Sequence, residues 1–179
     1  SYLISRNEEK YLWEKHIFDS LSAELFFKKF NIDTTGKRLL DIGTGGGFPA
    51  LPLAIAHPEI QVTALDSINK KLKAVKNIST ALGLKNIEIL CDRAENLDME
   101  FDLITSRAVA TLLRISEYAL PLLRKGGYFI AYKSKKVNDE IEEAKEKIKL
   151  LGGKIVDVIE YSLPLEDIYE RNLVIIEKK

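Results

Sequence analysis

The sequence predicts a doubly wound α/β sheet, mostly parallel, with an antiparallel C-terminal strand and helices ahead of the first strand. Three observations carry this. Short apolar runs alternate with amphipathic segments of helical length, the pattern of parallel strands covered on both faces. A cluster of glycines follows the first apolar run. The last two strand-like runs are joined by a connection too short for a crossover, which suits an antiparallel pair.

Residues 9–30 repeat Leu12, Trp13, His16, Ile17, Leu21, Leu25 and Phe26 at helical spacing. A break is expected near 16–20, where Asp19 or Ser20 would cap a second helix. Trp13, Phe18, Phe26 and Phe27 are expected in the core, and His16 in the N-terminal packing. Residues 31–37 form a loop with Thr34, Thr35 and Gly36. Strands are expected at 38–42, 61–65, 87–91, 101–105, 128–132, 153–161 and 171–177. Helices are expected at 48–56, 70–82, 111–120 and 139–150. Gly83 and Gly152-Gly153 end two of those helices, and Gly126-Gly127 leads into the fifth strand. Residues 163–170, with Pro164, form the last connection.

The chain has 179 residues, the size of one domain, which buries roughly two thirds of the surface of its unfolded chain. The reading is one domain over 1–179, with residues 1–37 as a helical extension on a core at 38–179. Tyr2, Leu3 and Ile4 look like the tail of something longer, so that extension is expected to be truncated. Lysine plus arginine equals aspartate plus glutamate at 27 each, so any nucleic-acid contact must be a local basic patch. A single cysteine, Cys91, excludes an intrachain disulfide and fits a reducing, cytoplasmic setting. With two histidines and one cysteine, no metal-ligand cluster is expected. His57, before Pro58, is expected as a cap or surface residue. No apolar run approaches the ~20 residues that span a bilayer. No interface stands out, so a monomer is expected.

The most informative run is Leu40-Asp41-Ile42-Gly43-Thr44-Gly45-Gly46-Gly47-Phe48-Pro49. Glycines permit positive φ and let a ligand approach the backbone, and the next helix offers free N–H groups. A dinucleotide fingerprint, Gly-x-Gly-x-x-Gly, would need a third glycine where Phe48 stands. No phosphate-loop lysine follows. Asp66 ends the second strand, where a carboxylate can accept both hydroxyls of a ribose. Asp92 follows the third. This combination resembles the S-adenosyl-L-methionine site of a Rossmann-like class I methyltransferase. There Asp41 would face the methionine ammonium, directly or through water. Gly43, Thr44, Gly45, Gly47 and Phe48 would line the turn. Asp66 would hold the ribose, and Asp92, Arg93, Ala94 and Glu95 would surround the adenine.

Further runs narrow the resemblance: His16-Ile17-Phe18-Asp19-Ser20-Leu21, Leu65-Asp66-Ser67 with Lys70-Lys71, Arg93-Ala94-Glu95, Thr105-Ser106-Arg107-Ala108-Val109-Ala110, and the run from Leu120 through Gly126-Gly127 to Lys133. Together they resemble the glucose-inhibited division protein B family (RsmG-like), bacterial methyltransferases acting on N7 of a guanine in the 530 loop of 16S ribosomal RNA. Two positions depart from the family's usual pattern. Ala50 stands where glycine is common, and Ser134 follows Lys133 where glycine is common. The resemblance implies S-adenosyl-L-methionine as methyl donor, S-adenosyl-L-homocysteine as product, and 16S RNA or the small ribosomal subunit as partner. Guanine N7 has a lone pair and no proton, so in-line attack on the methyl needs no general base; positioning is the catalytic task. Arg107, after the fourth strand, is expected to position the RNA target and to border the cofactor. Arg93 and Lys133 are expected to contact RNA. The alternatives are a methyltransferase for a small molecule or protein, a noncatalytic ribosome- or RNA-binding module, and a nicotinamide oxidoreductase, the last disfavoured by Phe48.

Overall fold

The computed structural model describes residues 6–165 and 169–179. Tyr2, Leu3 and Ile4 lie outside the described residues, as does the middle of the last connection. Seven strands form one sheet: β1 (Arg38–Ile42), β2 (Gln61–Asp66), β3 (Ile87–Cys91), β4 (Phe101–Arg107), β5 (Leu123–Ser134), β6 (Gly153–Leu163) and β7 (Tyr169–Lys178). Their order is β3-β2-β1-β4-β5-β7-β6. Neighbours among the first five pair in parallel, and β7 runs antiparallel to both β5 and β6. The doubly wound fold expected from the sequence is therefore present, with the antiparallel strand inserted between β5 and β6.

Alternation along each strand divides the core into two layers. Leu40, Ile104, Phe129 and Ala131 face one way, against Leu112, Ile115, Ala144 and Ile148 of α5 (Leu112–Ala119) and α6 (Asn138–Leu150). Leu39, Leu103, Ile130 and Tyr132 face the other way. Ala23, Phe26 and Phe27 of α2 (Ala23–Lys29) and Ala50 and Leu53 of α3 (Ala50–Ala56) cover them. The remaining long helix, α4 (Asn69–Ala81), buries Leu72 and Val75. A parallel sheet buried on both faces demands such apolar runs, and so the strands are easily seen in the sequence.

Element boundaries moved where local chemistry decided. Strand β4 continues through Arg107, pairing with β5 as far as Tyr132. Strand β5 begins at Leu123 rather than 128. The Gly126-Gly127 pair lies within it, beside a register shift opposite Phe101 and Leu103. A Cβ on Gly127 would lie 2.6 Å from the Asp102 carbonyl oxygen. Thr111 caps α5, its hydroxyl accepting from the Arg114 N–H.

The N-terminal segment departs most from expectation. It is a 3-10 stretch (Arg6–Tyr11), a π-helical stretch (Leu12–Phe18), one turn α1 (Asp19–Leu21) and then α2. Neither Asp19 nor Ser20 is the N-cap of a second helix. The Ser20 hydroxyl donates back to the His16 carbonyl, and the Asp19 carboxylate turns toward the sheet. Phe26 and Phe27 are core residues, whereas Trp13 is 63% exposed and Phe18 46% exposed. The two exposed rings face each other at 6.5 Å. His57 is the C-cap of α3, as expected, its N–H donating to the Leu53 carbonyl, and its ring sits between Glu24 and Glu59, linking α2 to the loop before β2.

Tyr132, on β5, ties this segment down by donating its buried hydroxyl to the Ser20 carbonyl at 2.5 Å. Tyr132→Phe leaves that buried carbonyl short of a donor, so a loss of about 1–3 kcal/mol in denaturant unfolding is expected. An unchanged midpoint would show that the hydroxyl does not hold the segment.

Candidate active site

The carboxyl ends of β1, β2, β3 and β4 meet at one cavity of about 550 Å³. Open α/β sheets bind ligands at this edge, and the volume lies in the range of small-molecule sites. After β1, Gly43, Thr44, Gly45, Gly46 and Phe48 line it. Asp66 at the end of β2 joins them, with Ser67 and Lys71 beyond; after β3 come Asp92, Arg93, Ala94 and Glu95; and Arg107 at the end of β4 is followed by Ala108 and Val109. His16 and Tyr118 complete the wall.

The turn after β1 requires its glycines. Gly43 has φ +69°, and a Cβ there would lie 2.5 Å from a methyl of Val109. Gly47 has φ +91°, and a Cβ there would lie 2.5 Å from a methyl of Leu51. The first glycine thus lets the β4 loop approach the turn, and the second seats the turn on α3. Ala108 itself has φ +56°, an uncommon conformation for a residue with a side chain. It lies between Arg107 and Val109, at the cavity wall.

Asp66 accepts the Gly45 N–H at 2.8 Å and the Ile68 N–H at 3.0 Å, one on each oxygen. A carboxylate has about four acceptor positions, so acceptor capacity remains for a diol. Asp92 accepts from the Arg93 N–H and the Asn96 amide. The hydrogen bond from Asn96, then that from Arg93, holds its carboxyl below the ordinary value.

Three sequence-predicted residues do not reach the cavity. Asp41, expected to face the methionine ammonium, is fully buried beneath the turn. One of its oxygens accepts from the Thr105 hydroxyl at 2.9 Å and the other from the Ala50 N–H at 3.3 Å. Burial outweighs those hydrogen bonds and raises its pKa to about 7. Gly47 faces α3 rather than the opening. Lys133, expected to meet a phosphate, is held inside by the Ala110 carbonyl at 2.7 Å and Glu140 at 2.9 Å. A lysine leaving a strand looks the same in sequence whether it ends in water or on a carboxylate.

Arg107 lies on the wall with its guanidinium already engaged. One Nη donates to the Lys15 carbonyl at 2.8 Å and to Asp19 at 3.1 Å; the other contacts His16 Nδ1 at 2.8 Å. Its guanidinium carbon stands 5.6 Å from the Phe48 ring centre, and the His16 ring 5.2 Å from it. Arg93 and Lys71 remain exposed at the rim. His16, Val109 and Tyr118 were not read as cavity residues. The His16 run carried a family resemblance, but helical spacing alone does not show which turn meets the sheet edge.

The model of the family described as rRNA small subunit methyltransferase G (GidB) matches residues 1–173. The chain belongs to that family. The ribosomal RNA small subunit methyltransferase G of Staphylococcus saprophyticus is 42% identical over 99% of this chain and 74% of its own length. The protein of the same name from Lachnoclostridium phytofermentans is 45% identical over 92% of this chain and 69% of its own. Among solved structures, TrmN from Thermus thermophilus superposes with TM-score 0.70 at 21% identity, covering 89% of this chain and 49% of that one. TYW2 of M. jannaschii, solved in complex with AdoMet, gives 0.67 at 14% identity, covering 88% and 77%. These structural likenesses show the fold alone.

In this member of the methyltransferase G family no helix among the described residues is long and apolar enough to cross a membrane. Among the same residues no cluster of three or more His, Cys, Asp and Glu side chains could hold a metal ion.

The raised pKa of Asp41 sets a pH dependence. Its neutral form is favoured in the folded chain, so the cost of ionising it is absent below 3.8, grows with pH and is complete above about 7. Asp41→Asn mimics the neutral acid. Between those limits the wild type is expected to lose stability relative to the Asn variant as pH rises, read by thermal unfolding. A constant difference across pH would mean that Asp41 is ionised throughout.

Proposed function

We propose that this chain transfers the methyl group of S-adenosyl-L-methionine to N7 of a guanine in the 530 loop of 16S ribosomal RNA. The observation that carries the reading is the joining, in one cavity, of a glycine turn, an acidic residue ending β2 and the Arg107 loop ending β4, in a chain of this family. The donor fits the residues present. Gly43 and Gly45 bring bare backbone to the cavity, Asp66 retains acceptor capacity for ribose hydroxyls, and Asp92, Ala94 and Glu95 border the place for an adenine. Thr44 and Phe48 extend the wall on the methionine side. Asp41 supports the turn from beneath rather than touching the donor.

The donor supplies an electrophilic methyl on sulfur; as the nitrogen–carbon bond forms, the carbon–sulfur pair returns to sulfur and positive charge passes to the guanine. The protein need not remove a proton in this step. Its residues must place the base in line with the methyl and exclude water. Phe48, with His16 and Arg107 packed beside it, forms a wall suited to a base. Arg93 and Lys71, exposed at the rim, are suited to phosphates.

Labelled methyl supplied with unmodified small subunits or protein-free 16S RNA is expected to appear on one guanine N7, located by mapping the label. Label on protein, on a small molecule or on no RNA position would overturn the reading. Asp66→Ala is expected to weaken S-adenosyl-L-homocysteine binding by at least about tenfold, a loss of roughly 1.4 kcal/mol. Unchanged affinity by titration calorimetry would remove Asp66 from the donor site.

A further inference from the structure

We infer that Asp19 is a positioning residue for methyl transfer, acting through Arg107. This rests on the proposed function and extends it to a residue outside the cavity lining.

Asp19 is 2% exposed, yet its carboxylate has no lack of partners. One oxygen accepts from Tyr161 at 2.5 Å and from Arg171 at 3.1 Å. The other accepts from Arg171 at 3.2 Å and from Arg107 at 3.1 Å. Burial, and next the charge of Asp19, raise the Tyr161 pKa, so its hydroxyl stays protonated and donates. One acidic side chain on the N-terminal segment thus joins β4, β6 and β7.

Only one of these partners reaches the cavity. Arg107 is fixed at three points: Asp19, the Lys15 carbonyl and His16. Because Arg107 can only donate, His16 Nδ1 must accept, which sets the tautomer of a neutral ring with its proton on Nε2. The fork orients His16, and the pair packs against Phe48. The chain of contacts runs from Asp19 to Arg107 to the wall on which the acceptor base would rest. Charge gives a second reason for the carboxylate. Methylation at N7 leaves the guanine positive, and an uncompensated guanidinium on the wall would oppose that change. Two arginines and one aspartate leave a net charge of one; Asp19→Asn would leave two.

The test is a double-mutant cycle on single-turnover methyl transfer to small subunits, with S-adenosyl-L-homocysteine affinity measured in parallel. Asp19→Asn is expected to slow transfer by at least about tenfold, and Arg107→Ala by about 100-fold, with affinity for the homocysteine product nearly unchanged. In the Arg107→Ala background Asp19→Asn should cost nothing further. Independent, multiplying losses would make Asp19 a structural tie and overturn the inference. Tyr161→Phe, which strips Asp19 of a partner on the oxygen that Arg107 does not use, should transfer at near the wild-type rate; an equal loss there would also overturn it. Arg107→Lys gives a reading that does not require the Asn variant to fold. It keeps the charge but not the three-point fork, so transfer should fall nearly as far as in Arg107→Ala. Near-wild-type transfer would overturn the inference. A wild-type chain that methylates no RNA overturns the function and this inference together; wild-type transfer with Asp19→Asn unchanged overturns this inference alone.

Discussion

The carboxyl group of Asp41, out of reach of water at the end of the central strand, joins three parts of the site. It takes one hydrogen bond from Thr105 on β4 and another from the first turn of α3. Between those attachments the chain must turn sharply, and only a backbone with positive φ at Gly43, Gly45 and Gly47 makes the turn. Gly43, Thr44, Gly45 and Gly46 of the turn then line the cavity. Burying an acid for this purpose costs free energy, seen in its raised pKa; it is tolerated because both oxygens are bonded.

Around that turn the sheet brings four strand ends to one place, as parallel pairing requires. The wall that carries Arg107 has a different origin. It depends on the N-terminal segment, whose residues Lys15, His16 and Asp19 hold Arg107. Under the proposed function the donor site is thus built by the sheet, and the acceptor wall by a joint between the sheet and the helices before it. Substitutions in the two parts should separate donor binding from transfer.

Much of this was legible in the sequence, for definite reasons. A parallel sheet covered on both faces imposes unbroken apolar runs such as those around Leu39-Leu40 and Phe129-Ile130, and a ligand turn imposes glycines at Gly43, Gly45 and Gly47. What stayed hidden depended on distance in space. The pairing of Lys133 with Glu140, and of Asp19 with Arg107 and Arg171, joins residues whose spacing follows no period. Asp41 precedes the turn as a ligand would, and its burial against Thr105 and Ala50 has no signature in the sequence. Trp13 fits a helical stripe and Phe18 is expected beside it in the core, but a π-helical stretch shifts the faces by adding a residue per turn, and both rings emerge into solvent. The Gly126-Gly127 pair looked like a strand entrance because glycine usually weakens strands; here close approach to Asp102 makes it part of the strand.

The most direct test of the account is a crystal structure of the chain with S-adenosyl-L-homocysteine. The ribose hydroxyls are expected on the Asp66 carboxylate, the amino-acid end against Gly43 and Gly45, and the sulfur open toward the wall formed by Phe48, His16 and Arg107. A product molecule seated elsewhere, or one whose ribose makes no contact with Asp66 while its sulfur faces away from Arg107, would contradict it.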